Sequence, residues 1–186
     1  IRAERVDLGR DNLVNVRFII EEGDRVEISN IDFIGNGAIS SDQLRDIMET
    51  SIDTWFGGGE FNPDVLEQDF DKIRRLYAEY GYLSTEVSLL RKAPGRDREH
   101  IDLYIKIDEG PRSYVGDVTW SGNEVVADSV IEKSIVLEKG EPLSIAELEM
   151  TQGAIQNLYM EKGYIWSRII PGQKVNRSDI DIRLDI

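Results

Sequence analysis

The sequence predicts an α+β fold built from tandem β-α-α-β-β units, each a three-stranded mixed sheet with two helices on one face. Three observations lead there. The stretch Val14 to Asn36 (VNVRFIIEEGDRVEISNIDFIGN) recurs as Ile101 to Asn123 (IDLYIKIDEGPRSYVGDVTWSGN), 87 residues on and without a gap. An internal repeat of this size marks an array of small, similar units. Within the match Glu22/Glu109, Gly23/Gly110, Arg25/Arg112 and Gly35/Gly122 are identical, and apolar residues fall opposite apolar ones on either side. The stretch therefore holds the last strand of one unit, a Glu-Gly link, and the first strand of the next. Finally, Leu66, Phe70, Ile73 and Tyr77 form one helical face, and Leu148, Ile155 and Tyr159 repeat it 82 residues later. On this reading residues 1–22 are the C-terminal hairpin of a preceding unit, 23–109 a complete unit and 110–186 a second one.

Ile1 to Val6 and Val14 to Ile20 read as two strands joined by a Gly-containing turn. The first strand of the complete unit is expected at about Arg25 to Ile34, stopped by Gly35-Asn36-Gly37. Ser40 and Gln43 fit a capping box for a helix over about Ser41 to Glu49. Asn62 as N-cap and Pro63 at the first position start a second helix, which Gly81 ends. The second strand is expected over Tyr82 to Leu90, a polar turn over Lys92 to His100, and the third strand over Ile101 to Ile107. The second unit repeats this order. Its first strand is Ser113 to Trp120. Ser129 with Glu132, and Ser144 with Glu147, suggest capping boxes for its helices. Gly163 ends the longer helix, and Ile165 to Ile170 and Ile180 to Ile186 are the last two strands. The third strand of each unit is the most apolar on its alternating face, which places it in the centre, with strands one and two as edges.

Composition narrows the function. Thirty-six acidic residues against 22 basic ones give a net charge of −14. That argues against a nucleic-acid surface, which needs a basic stripe, and against anionic lipid. The absence of Cys excludes a disulfide framework and a thiolate metal site. No apolar run is long enough to span a bilayer and the first residues are not a signal peptide; the chain starts and stops inside strand patterns, so it is expected to be an excised segment with any signal or membrane part outside it. The single His, His100, lies in a charged turn and is expected to be a solvated loop residue. It has no convergent partners for a triad or a zinc site. Gly57-Gly58-Gly59 is not followed by Lys-Ser/Thr, so a flexible tether is the expectation rather than a phosphate loop. No carboxylate pair stands out. No catalytic residue, metal site or cofactor is expected, and the protein is read as a non-enzyme.

Three places invite a binding role. Trp55 and Phe56, followed by Gly57, Gly58 and Gly59, are either a lid tucked onto the core or an interaction loop. Glu109, Gly110 and Pro111 read as a short, semi-rigid hinge, because no linker-like tract separates the units and Pro111 fixes φ. The second strand of the complete unit offers free backbone groups for strand addition through Ser84, Thr85, Glu86, Val87, Ser88, Leu89 and Leu90. In that strand Leu83, Thr85, Val87 and Leu89 are expected to face the helices, and Ser84, Glu86, Ser88 and Leu90 the open face. No Pro interrupts it. The opposing expectation is an ordinary edge kept soluble by Glu86, Arg91 and Lys92.

The element order, the Gly35-Asn36 and Gly122-Asn123 turns, the Gly81-Tyr82 and Gly163-Tyr164 helix stops and the Glu-Gly links resemble POTRA (polypeptide-transport-associated) domains over the whole chain. The aromatic and Gly-rich insertion is most similar to a middle domain of a BamA-type outer-membrane barrel assembly factor. That resemblance implies a non-catalytic segment at the periplasmic face of the bacterial outer membrane, attached to a membrane barrel outside it. The implied partners are nascent outer-membrane proteins and assembly-complex lipoproteins, met partly by β-augmentation. Related repeats serve in secretion and in organelle import, where the compartment would be the intermembrane space. A purely structural spacer array is the other reading.

Overall fold

The structure, a computed structural model, describes residues 2–7, 14–19, 26–52, 59–176 and 178–186. Glu22, Gly23, Trp55, Phe56, Gly57 and Gly58, on which expectations above rest, lie outside them, as does the turn after Asp7.

Strands β1 (Arg2–Asp7) and β2 (Val14–Ile19) pair antiparallel as a two-stranded sheet. The next three strands, β3 (Glu27–Ile34), β4 (Glu86–Pro94) and β5 (His100–Asp108), form a sheet of order β3-β5-β4. In it β3 runs parallel and β4 antiparallel to β5. Helices α1 (Ser41–Ile47) and α2 (Pro63–Glu79) lie between β3 and β4 in sequence. The second unit repeats the plan with β6 (Tyr114–Ser121), α3 (Asp128–Glu132), α4 (Ile145–Glu161), β7 (Ile170–Asn176) and β8 (Asp179–Asp185), in sheet order β6-β8-β7. The third strand is central in both units, as its apolar alternation requires.

Local chemistry sets the boundaries. Ser40 and Gln43 form the reciprocal capping box of α1. Asn62 accepts from the N–H groups of Asp64 and Val65, with Pro63 at the first turn of α2. Both long helices end in a Schellman motif. Gly81 N–H donates to Ala78 and Tyr82 N–H to Tyr77, and Gly163 and Tyr164 repeat this with Met160 and Tyr159. Gly81 and Gly163 both sit at φ 90°. The helices bury Leu44, Leu66, Phe70, Ile73 and Tyr77 against Ile28, Ile31, Val87, Leu103, Ile105 and Ile107. The second core is built alike around Leu148, Ile155 and Tyr159.

The outer edge of each first strand is partly covered. Ile28 donates to Gly59 and Phe61 to Val26, at 2.6 and 3.0 Å, so residues 59–61 strap the start of β3. In the second unit Val115 donates to Glu141 and Leu143 to Ser113, at 2.8 and 3.0 Å. Among the described residues, the straps leave β4 and β7 as the outer strands whose far side carries no strand.

Four expectations need correction. The second strand of the first unit begins at Glu86, not Tyr82, because residues 81–85 are used by the helix stop and a turn in which the Thr85 hydroxyl donates to the Tyr82 carbonyl at 3.0 Å. It also runs on to Pro94 through a bulge between Leu89 and Arg91. Most of Ile165 to Ile170 is not strand: Gln156 and Gln152 of α4 take the carbonyls of Ser167 and Ile169, both at 3.1 Å, and pairing starts only at Ile170. Ser129 is inside α3, whose N-cap is Ala127 with no side-chain bond; Asn123 and Asp128 shape that end instead. His100 is buried, not solvated. It opens β5 opposite Glu27, with Nδ1 2.6 Å from Asp97 and Arg96 at its other nitrogen.

Candidate functional site

The link between the units is clasped by the first of them. The Glu109 carboxylate accepts from the buried Tyr77 hydroxyl at 2.9 Å and from the Ala38 N–H at 2.7 Å. Its carbonyl accepts from the Thr85 hydroxyl at 3.1 Å. Burial, reinforced by the Glu109 carboxylate, pushes the Tyr77 phenol well above the ordinary tyrosine value. Gly110 has φ 65°, and a Cβ there would stand 2.4 Å from Ser84 Oγ.

Past the link, Ser113 N–H donates to the Gly81 carbonyl and Arg112 Nε to the Tyr80 carbonyl, both at 2.8 Å. The Arg112 guanidinium lies 5.7 Å from the ring of Tyr82 in the first unit and 6.0 Å from that of Tyr114 in the second. Leu83 packs against the second unit's core. The corner after α2 is thus both the helix stop and the seat of the next unit. A cleft of about 380 Å³ beside it is lined by Glu79, Arg112, Glu138, Glu141 and Glu147.

Strand β4 is the expected client edge. Residues directly opposite on neighbouring strands share a face. Val87 and Leu89 stand opposite Ile107 and Ile105 and face the helices, while Glu86 and Ser88 stand opposite Asp108 and Lys106 on the open face. Those four residues behave as the alternation predicts. Ser84 and Thr85 do not belong to the strand: Ser84 abuts Gly110, and Thr85 is buried and tied to the link. Leu90 is the bulge residue, 52% exposed. The bulge returns Lys92 to the helix face, opposite Leu103, with Nζ 4.2 Å from the Phe61 ring. Arg91 instead stacks 3.7 Å over Tyr104 on the open face. Pro94, the last strand residue, has no donor. Arg74 of α2 donates to the Val87 carbonyl at 3.3 Å, so one acceptor near the edge is already engaged. The unbulged, unprolined part of the edge is therefore Glu86 to Leu89.

Strand β7 is the corresponding edge of the second unit, expected as an edge but over Ile165 to Ile170 and found at Ile170–Asn176. Strand β7 pairs with β8 without a bulge from Ile170 to Asn176, and Ile170 and Val175 are largely exposed. The sequence signal was present in the Val175 and Ile180 pattern, but Gly172 and Pro171 obscured it. Of the interaction loop only Gly59 is described; its φ is 84° and its carbonyl serves the strap. Among the described residues no group of three His, Asp or Glu side chains could hold a metal, and no helix is long and apolar enough to cross a membrane.

Comparison with known proteins supplies the family. The model of the POTRA family, described as surface antigen variable number repeat, matches residues 26–110 and again 113–186. The chain is 28% identical over 155 residues to a putative outer membrane protein assembly factor of Treponema pallidum, covering 81% of this chain and 18% of that protein. It is 27% identical over 163 residues to the outer membrane protein assembly factor BamA of Neisseria meningitidis, covering 85% of this chain and 20% of that protein. The chain thus spans about a fifth of the length of these relatives. Its fold is that of the crystal structure of Haemophilus influenzae BamA POTRA3-5, with a TM-score of 0.65 at 20% identity over 86% of this chain and 65% of that one.

Proposed function

Because the chain belongs to the POTRA family, we propose that it is the periplasmic binding and scaffold segment of an outer-membrane protein assembly factor, and that it holds unfolded outer-membrane polypeptides by β-augmentation along β4. Partner lipoproteins of the assembly complex and a membrane barrel carried outside this segment complete the setting. Residues 1–22 then close a preceding unit, and 23–109 and 110–186 are the two units presented here. The segment positions polypeptide and does no catalysis.

The observation that carries this reading is the row of outward backbone groups over Glu86 to Leu89, on an outer strand whose open-face side chains are Glu86 and Ser88. Small or polar side chains suit a sequence-tolerant contact in which the backbone supplies the affinity. The bulge, Arg91, Lys92 and Pro94 limit that contact to one end of the strand, which keeps the rest from pairing with the wrong chain. The Glu109-Gly110-Pro111 link serves as a stiff hinge that holds the edge at a set attitude to the second unit.

Photo-crosslinkers in place of Ser88 test this. They should trap an unfolded barrel substrate several-fold better than one at Glu67 on exposed α2. Equal trapping at both, or none at Ser88, leaves the spacer reading. Trapping at Lys174 instead moves the edge to β7, which its lack of a bulge favours as the second reading.

A further inference from the structure

The two units differ on the outer side of their first strands. In the first unit Arg45, in the last turn of α1, holds its guanidinium 5.8 Å from the centre of the Phe33 ring. It also donates to the Ile31 carbonyl at 3.3 Å and pairs with Asp42 at 2.8 Å. One arginine thus ties the short helix to the edge of β3.

The second unit keeps the frame and loses the arginine. Asn36 donates to the Ile39 carbonyl and the Ser41 hydroxyl, and Asn123 repeats this with Val126 and Asp128, so α1 and α3 start alike. Ile31 and Val118 hold the same place against the central strand, opposite Leu103 and Ile182. At the offset of 87 residues Phe33 becomes Trp120, Asp42 becomes Ser129 and Arg45 becomes Glu132. A carboxylate cannot donate to a carbonyl, so Glu132 does not replace Arg45. A cleft of about 320 Å³ is found there instead, lined by Val118, Trp120, Glu132, Ile135 and Leu137. Lys139 also lines it, but pairs with Asp117 at 2.5 Å. Glu132 has no ion-pair partner among the described residues. Trp120 is fixed by its indole N–H, which donates to Asp128 at 2.9 Å.

We propose that the cleft between β6 and α3 is a docking point for an arginine side chain of a partner protein. The first unit shows how such a cation sits, over the ring and against the strand carbonyl. In the second unit the ring is an indole, the best cation–π partner among side chains. Glu132 supplies the carboxylate for the guanidinium fork, and Ile135 and Leu137 take the apolar stem. The net charge of −14 favours the approach of a cationic surface. A lysine is the poorer occupant, because it is a point charge without a planar fork to stack on the ring and meet the carboxylate together. This contact is separate from client capture along β4 and stands if that reading fails.

Titration of the full chain with acetyl-Ala-Leu-Arg-Leu-Ala-amide, followed by NMR, tests it. The Trp120 indole N–H signal should shift saturably, with a Kd several-fold lower than for the same peptide carrying lysine or citrulline in place of arginine. Glu132→Arg supplies the guanidinium from within the chain. It should move the Trp120 signal of the free protein and remove the response to the peptide. Glu132→Gln, at an exposed position, should leave melting unchanged and weaken the arginine peptide several-fold. Equal binding of the three peptides, a Trp120 signal that none of them moves, or wild-type binding in either Glu132 variant overturns the proposal.

Discussion

Asp69→Ala is expected to destabilise the first unit by about 3 kcal/mol, because it strips the buried Thr50 N–H and the part-buried Glu49 N–H of their acceptor, at up to roughly 1–3 kcal/mol each, and takes from Lys72 one of its two carboxylate partners. Asp69 is fully buried in α2, and its carboxylate accepts from the N–H groups of Glu49 and Thr50, both at 2.8 Å, and from Lys72 at 3.0 Å. It closes the backbone where the chain leaves α1. Burial alone would raise its pKa, but hydrogen bonding from Thr50, Glu49 and Lys72 outweighs this and holds the carboxyl below its ordinary 3.8. A depressed folded-state pKa gives stability that is present above the unfolded value and is lost as pH falls below it. Wild type should therefore lose stability steeply below about pH 4, and Asp69→Ala should show a shallower acid limb. Asp69→Asn, which keeps one acceptor oxygen, should fall between. Urea melts across pH check all three. Thr151 does a lesser version of the same job in the second unit, accepting from Val136 N–H at 3.2 Å.

Glu109→Ala should cost about 1–3 kcal/mol and also release the second unit, because it leaves the buried Tyr77 hydroxyl without its acceptor, while the exposed Ala38 N–H turns to water. The link then loses two of the ties that fix its path; the Thr85 contact to its carbonyl remains. Wild type should give one rotational correlation time by NMR relaxation, and Glu109→Ala two, one for each unit. Glu109→Gln keeps an acceptor oxygen and should retain most of the coupling. Two independent correlation times in wild type would contradict the stiff-hinge reading. Raising the pH past the ordinary tyrosine value of 10.0 should have a related effect in wild type. Tyr77 has a raised folded-state pKa, so its contribution is complete below the unfolded value and declines as pH rises beyond it.

How far the sequence revealed these features follows from what each depends on. The repeat, the helical face of Leu66, Phe70, Ile73 and Tyr77, the Ser40–Gln43 box and the glycine stops are local or periodic, and each appears where the residues placed it. The central position of the third strand followed from its two-residue alternation. Asp69 was not legible. It precedes Phe70 on the helix and resembles any surface acid until α1 brings Glu49 and Thr50 over it. The start of β4 was masked because Tyr82 to Thr85 alternate like a strand while their hydrogen bonds go to the helix end and the link. Its bulge at Leu90 had no local signal and reversed the facing of Lys92. In Ile165 to Ile170 the apolar run reads as a strand, yet Gln152 and Gln156 hold its carbonyls. His100 was misjudged because its charged neighbours, Arg96, Asp97 and Glu99, imply solvent, whereas the parallel pairing with β3 closes over it.

Amide hydrogen exchange along β4 tests client capture by this edge most directly. The full chain would be measured with and without an extended, barrel-strand peptide. The outward amides between Glu86 and Leu89 should gain protection when the peptide binds, those after the Leu90 bulge should not, and Ser88→Pro should abolish the gain. Protection confined to β7, to the helices or to the Tyr164–Trp166 corner, or binding that survives Ser88→Pro unchanged, would contradict it.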